Sequence, residues 1–558
     1  MVFVWNPRQS RFLTLVMIGY LIFEWNPGTE MVPDLEGGNM SERQIIGSVD
    51  QSVPGSGDPQ QLPRILGLFD ATMIVVGSII GSGIFLKVSA VDEKLAPYGF
   101  LAIMGTWLFV GIITLCGSLA LAELGAMFPQ AGGPYLYIRE AFGKLPAFLW
   151  GWTEFWVVRT GSVGALACAT VVYFNELLPL SAAGQTLLAI AIVVGLSGAN
   201  YRSTRVGAGI QSLATVSKVA FLVGLVVLPF CLQTVDAENM KPALNLPQSG
   251  DAWGAMFRAL GLAMVAVLWP YDGWINLGPV AEDIQNPMKN VPRAMAIGLG
   301  IVIVVYMGAN LSYHAVLPMS HLSQSETVAA DVFQVMFGTT GAKIAAIGVM
   351  ISTFGATNSN MITGPRIYLA IARDGFVPQW LQRIHPIYMT PANTIVLQAV
   401  WTIFLVVLFS VWTPGAASSV APVNESAMAM GTLTPDQPAT AVTADATVQQ
   451  AEAIPHSRRT KAAFDILTDS VICAGLIFYG LAVASVYVLR KTRPDIARPY
   501  RTWGYPVTPA LLLLAYVGAF VSLLIEQPAQ TIAVLGLIGA GIVYYMFVGR
   551  LRASRGAV

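Results

Sequence analysis

The sequence predicts an all-α integral membrane protein with twelve spanning helices, the first and sixth of them discontinuous. Three observations carry this expectation. The 558-residue chain is 55% hydrophobic and only 11% charged, with a mean hydropathy of +0.63, whereas soluble proteins carry about 25% charged residues. Apolar segments long enough to span, about 20 residues each, recur along it. Two of them contain helix-breaking residues at mid-span, where hydrocarbon offers freed backbone groups no water.

The spans are expected at 66–91, 97–121, 146–174, 185–200, 211–232, 256–281, 295–317, 340–370, 392–412, 468–489, 507–525 and 529–548, the fourth being short. With the N-terminus inside, Lys and Arg crowd the cytoplasmic connections (Arg139 and Lys144, Arg202 and Arg205, Arg490 to Arg501). The outer connections are sparse, and two of them, 175–184 and 526–528, carry none. By the positive-inside rule both termini are cytoplasmic, and a multi-pass protein of the plasma (inner) membrane is expected.

Residues 1–65 form a cytoplasmic segment, polar apart from 12–23, a stretch too short to span and without a small-residue cleavage site. Met40-Ser-Glu-Arg reads as a more ordinary start, so 1–39 is expected to be an upstream extension or dispensable. Residues 66–548 hold the twelve helices, and 549–558 are a cytoplasmic tail. Between the ninth and tenth spans, 413–462 reads as a low-complexity external loop rich in Ala, Thr, Ser and Pro. It contains a formal glycosylation acceptor, Asn424-Glu425-Ser426.

The net charge is zero, and no nucleic-acid partner is expected. The four cysteines fall in or beside spans and read as buried apolar residues. Neither CxxC nor HExxH occurs, and the histidines are scattered. No metal, cofactor or catalytic constellation follows, so an enzyme is not expected.

The first break is Gly77-Ser-Ile-Ile-Gly-Ser-Gly-Ile-Phe85. Each Gly weakens a helix by roughly 1 kcal/mol relative to Ala. Gly77 and Gly81 also form a GxxxG pair, which alone is equally compatible with tight helix packing. The second break is Leu268-Trp-Pro-Tyr-Asp-Gly-Trp274. Pro270 lacks an N–H and disfavours the preceding helix, and Asp272 and Gly273 follow at once. Paired discontinuous helices five spans apart fit inverted repeats of helices 1–5 and 6–10 with a ligand site at mid-membrane.

With these motifs the chain resembles the amino acid–polyamine–organocation (APC) superfamily, and within it the L-type amino acid transporters and their bacterial relatives. The resemblance runs from about Leu66 to Pro506. It includes the first break, Ala122-Glu-Leu-Gly-Ala-Met-Phe-Pro-Gln-Ala-Gly-Gly-Pro-Tyr135, Trp152-Thr-Glu-Phe-Trp-Val-Val-Arg159, Glu282-Asp-Ile-Gln-Asn-Pro287, Phe354-Gly-Ala-Thr-Asn358 and Ala372-Arg-Asp-Gly375. It implies a LeuT-like 5+5 inverted repeat and sodium-independent movement of amino acids by alternating access, as a permease or exchanger, with proton coupling open. A polyamine permease on the same fold and a non-translocating nutrient sensor are the alternatives.

The resemblance also implies roles. Ser82 and Gly83 present backbone N–H groups to the substrate carboxylate. The carbonyls of Ile79, Ile80, Trp269 and Asp272 suit its ammonium, while Gly81 and Gly273 allow the unwound backbone. Trp269 caps the site as a gate. The Asp272 carboxylate either meets a substrate amine, a cationic side chain or a proton, or caps the second half of helix 6. Lys218, expensive inside a span, either stands where a sodium ion would bind, where it could also titrate and couple transport to protons, or snorkels to the cytoplasmic face. Glu154 and Arg159 are five apart, off one helical face, so each is expected to pair with another helix in a structural or gating role. Glu123, Arg139 and Glu282 either form inner-gate contacts or are solvated. Tyr135 is assigned to gating, and Trp274, Ile275 and Asn358 to the pathway. Ile275 departs from the polar Asn common after the helix-6 Trp in animal members. Animal members join a heavy chain through a cysteine in the loop after helix 3. Residues 175–185 contain none, so no disulfide-linked heavy chain is expected, and the partners are an amino acid and the lipid bilayer.

Overall fold

A computed structural model of the chain describes residues 61–241, 243–247, 250–325, 327–412 and 456–555. The expectations for 1–60 and for 413–455, with the glycosylation acceptor, lie outside them. Among the described residues there is no strand, and eleven helices are long and apolar enough to cross a membrane. These are α1 (Leu68–Leu86), α2 (Phe100–Met127), α3 (Lys144–Asn175), α4 (Ala182–Arg202), α5 (Thr204–Cys231), α6 (Ala252–Asp283), α7 (Pro287–Val316), α8 (Thr339–Arg373), α10 (Thr468–Thr492), α11 (Val507–Glu526) and α12 (Pro528–Arg550). The shorter apolar helix α9 (Ala392–Leu408) completes twelve.

Local chemistry accounts for the boundaries that differ from expectation. The fourth span is longer than 185–200 because Ser181 accepts from the Gly184 N–H and caps the helix at Ala182. Ser203 does the same for α5, accepting from Val206 N–H, so α4 and α5 meet at one residue. The helix containing α10 begins at His456, so the last residues of the expected 413–462 loop are helical. Cys231 is exposed at the end of α5, unlike buried Cys116 and Cys473.

The packing places the two interrupted helices at the centre. α1 packs on α5, α7 and α8, and α7 packs on α2. α8 packs on α3 and α5, α9 on α4 and α3, and α10 bridges α2, α3, α6 and α11. Helices facing lipid show it in their composition: Leu213, Val304, Leu514 and Val543 are all exposed, which in a bilayer requires no partner. The polar groups are inside instead, including Lys218, Glu154, Arg159, Asp283 and Arg366.

Candidate functional site

α1 is helical over Leu68–Ile79, leaves the helix at Ile80 (φ −72°, ψ 97°), and resumes over Gly83–Leu86 and Val88–Leu95. The carbonyls freed by this break are held from three sides. Lys218 Nζ donates to Gly77 O at 2.9 Å, Ile80 O at 2.5 Å and Ser352 O at 3.2 Å. An ammonium has three N–H groups, so this one is saturated by carbonyls. Ser352 Oγ donates to Gly81 O at 2.8 Å. Tyr306 OH lies 3.1 Å from Ile79 O and 2.9 Å from Pro270 O, reaching both broken helices at once. Lys218 is fully buried, which rules out snorkelling.

α6 is helical through Tyr271, with Pro270 inside it, turns at Asp272 and Gly273, and continues as a 3₁₀ helix over Trp274–Asp283. Gly273 adopts φ +100°, which L side chains disfavour. It is also the N-cap of the second half, and no side chain caps there. The capping alternative for Asp272 is therefore not the one adopted. Its Oδ1 accepts from Tyr479 OH of α10 at 3.0 Å.

The two breaks cross in backbone contact. A Cβ on Gly83 would lie 2.5 Å from Pro270 Cα, and one on Gly273 would lie 2.6 Å from Ser78 O. Gly81 differs. Its φ is not left-handed, and its Cβ position is 3.5 Å from Ala356 Cβ and 3.8 Å from Leu166 Cδ2. The turn does not demand glycine there, and a methyl would make ordinary contacts at the edge of an open space that Gly81 lines.

That space is a cavity of about 360 Å³, counting open volume. The α1 break lines it with Ile79, Gly81, Ser82 and Gly83, and α6 with Trp269, Asp272, Gly273 and Asn276. Ser162 and Leu166 of α3 and Ala356 and Asn360 of α8 form the facing wall. Ser82 Oγ is buried in it with no hydrogen-bond partner. Asp272 also borders a second, mainly apolar space of about 250 Å³ with Trp274, Tyr479 and Tyr516.

Of the sequence-assigned residues, Ile79, Gly81, Ser82, Gly83, Trp269, Asp272 and Gly273 come together around the cavity. Ile80 does not line it, and its carbonyl is engaged by Lys218. Trp274 lines only the second space, and Ile275 is buried outside both. Asn358 faces away: it donates to Gly207 O and Gln211 Oε1 of α5 and accepts from Asn200 of α4. Asn360, two residues on, takes the cavity position.

Glu154 and Arg159 correct the expectation of separate partners. Arg159 Nε meets Glu154 Oε2 at 2.9 Å and its Nη2 meets Oε1 at 3.1 Å. The intervening Glu154–Val158 is a π-helix, whose i→i+5 repeat brings residues five apart onto one face. Arg159 also donates to Asn276 Oδ1 at 2.9 Å and Asn360 Oδ1 at 2.5 Å, orienting two cavity residues.

Away from the cavity, around Glu123 and Glu282, the charges form ties between elements, so both are buried rather than solvated. Glu123 accepts from Arg490 at 2.6 and 2.9 Å and from Thr502 N–H at 2.6 Å. Glu282 accepts from Arg373 at 2.8 and 3.0 Å and from the Leu62 and Ala131 amides. Tyr135 OH and Arg139 Nη1 both donate to Asp374, at 2.6 and 2.7 Å. Burial, then the bond to Asp374, pushes the Tyr135 phenol well above its usual range. Burial opposes the charge on Arg139, but the Asp374 and Glu140 carboxylates together outweigh it and raise that guanidinium. Sequence reasoning missed Tyr306, Ser352, Asn276, Asn360 and Tyr479. Their one signal is polarity inside apolar spans, which many buried residues share.

The sequence profile of the amino acid permease family matches residues 66–548. The mouse (Mus musculus) b(0,+)-type amino acid transporter 1 is 27% identical over 87% of this chain and 88% of its own length. The serine/threonine exchanger SteT of Bacillus subtilis (strain 168) is 28% identical over 82% of this chain and 90% of its own. The mouse large neutral amino acids transporter small subunit 2 is 28% identical over 90% and 84%. With a match across all twelve helices and both breaks, the chain belongs to the amino acid permease family, whose members are transporters and not enzymes.

Proposed function

We propose that the chain carries free L-amino acids across the plasma (inner) membrane by alternating access, without sodium, as an exchanger or a proton-coupled permease. The substrate carboxylate lies on the N–H groups of Ser82 and Gly83, at the start of the outer half of α1. The first amides of a helix lack intrahelical partners and sit at its positive end. The ammonium faces the carbonyls of Ile79, Trp269 and Asp272, with Trp269 over it by cation–π attraction.

One observation carries the sodium independence. A fixed ammonium, Lys218, already occupies the three carbonyls that bind α1 to α5 and α8. A metal cation there would meet a like charge. A second reading, a polyamine or other amine as cargo, draws support from Asp272, whose carboxylate on the cavity wall suits an additional cation. The cysteine-free 175–185 segment supports operation without a disulfide-linked second subunit.

Uptake into proteoliposomes tests both readings, using a panel of neutral and cationic amino acids and a linear diamine. Sodium, a proton gradient and internal substrate are each added and withheld. Sodium-dependent uptake overturns the role of Lys218. Uptake of the diamine in preference to every amino acid replaces the first reading by the second.

A further inference from the structure

We propose that Asp92 and His314 form a buried site for one exchangeable proton, which ties the outer segment of α1 to the outer end of α7. Asp92 lies on Val88–Leu95 and His314 near the end of α7, and both are buried. His314 Nδ1 is 2.8 Å from the Asn310 carbonyl oxygen. A carbonyl only accepts, so Nδ1 carries a hydrogen. Nε2 is then either a lone pair or a second N–H, and it stands 3.3 Å from Asp92 Oδ1.

An ionised Asp92 facing a neutral imidazole would set a carboxylate oxygen against a lone pair. Among the described residues neither oxygen of Asp92 meets a donor other than His314, and burying such a group unpaired costs several kcal/mol. One added proton removes the conflict, as O–H···N or as O⁻···H–N⁺. The Phe100 ring edge, 5.3 Å from the imidazole centroid, closes the site on one side.

The charges on surrounding elements are engaged elsewhere or exposed. Glu93 pairs with Lys94, Lys87 with Asp469, His321 with Asp331, and Glu238 with Lys241. Asp236, whose N–H donates to Ala315 O, accepts from Glu238 N–H, and Arg258 of α6 is exposed. Among the described residues no other charged group replaces the proton. Val88–Leu95 packs against the outer half of α6 and against Met319–Leu322, so loosening this tie loosens the outer cover of the cavity.

The test follows thermal melting of the full-length protein in lipid nanodiscs from about pH 5 to about pH 9, a range that brackets imidazole titration. At high pH the folded state holds a proton that the unfolded chain releases, so stability falls as pH rises. Asp92→Asn places an amide N–H against Nε2, and His314→Gln places one against the carboxylate. Each supplies the tie without a proton. The expected result is a wild-type melting temperature that falls several degrees more with rising pH than either variant's. Identical profiles for all three overturn the proposal. If neither variant folds, nitrogen NMR of histidine-labelled wild type decides. A proton-bonded Nε2 at His314 is expected at neutral pH, and a free lone-pair signal overturns the site.

Discussion

Arg159 and Glu154 form a buried ion pair at 2.9 Å within one helix, across a π-helical turn. Removing one partner of such a pair leaves an uncompensated charge, whereas replacing both can be close to neutral. Arg159→Met should therefore lower stability by about 3–5 kcal/mol, and adding Glu154→Leu should recover most of that loss. Thermal melts of the single and double variants check the prediction, and equal losses in both would refute it.

Lys218 is fitted to its place as well as charged for it. Gly355 leaves room for it, since a Cβ there would lie 3.2 Å from Lys218 Cε. Lys218→Met strips Gly77 O of its side-chain donor and leaves Ile80 O with only the 3.4 Å bond from Ser352 Oγ, and a buried acceptor left unsatisfied costs about 1–3 kcal/mol. Uptake should be lost and melting should fall. Lys218→Arg should not rescue either, because a planar fork does not match three converging carbonyls. Uptake assays and melts on both variants test this.

The glycines of the first break separate binding from folding. Gly83→Val would drive a side chain into the Pro270 backbone, so its failure would report misfolding as readily as lost binding. At Gly81 a Cβ meets only ordinary contacts with Ala356 and Leu166, so Gly81→Val projects a side chain at the cavity that Gly81 lines. It should keep the wild-type melting temperature while weakening substrate binding at least tenfold, about 1.4 kcal/mol. Unchanged affinity in a binding titration would remove this cavity from the transport route.

Asp272→Asn keeps a group that accepts the Tyr479 hydroxyl bond while removing the charge. Hydrogen bonds to charged groups contribute about 1.5–3 kcal/mol. The KM for cationic amino acids should therefore rise about tenfold or more, and that for neutral ones much less. Competition between the two classes in proteoliposomes measures the ratio. An equal change in both would assign Asp272 to structure alone.

The breaks in α1 and α6 were legible because glycine, proline and aspartate violate helical and membrane preferences together, and hydrocarbon makes such violations expensive. The Lys218 charge was visible for the same reason, but not its three carbonyl partners, which come from other helices. Pairing of Glu154 with Arg159 was hidden because spacing was read at 3.6 residues per turn, and nothing in the Glu154–Val158 sequence announces a π turn. Asn358 and Asn360 illustrate another limit. They lie about 200° apart around the helix, yet α8 is buried on nearly all sides at this level. No amphipathic stripe tells which of the two faces the cavity.

The crossing at Gly83–Pro270 and Gly273–Ser78 restricts how this transporter can diversify. Two of its closest approaches admit no atom beyond hydrogen, so substitutions there trade away the fold before they alter cargo. On the proposed substrate site, selectivity is better written on the opposite wall at Ser162, Leu166 and Ala356, which are helical, while Asn360 beside them is held by the Arg159 guanidinium. An effort to retune this permease would begin its library at those three positions and leave the breaks untouched.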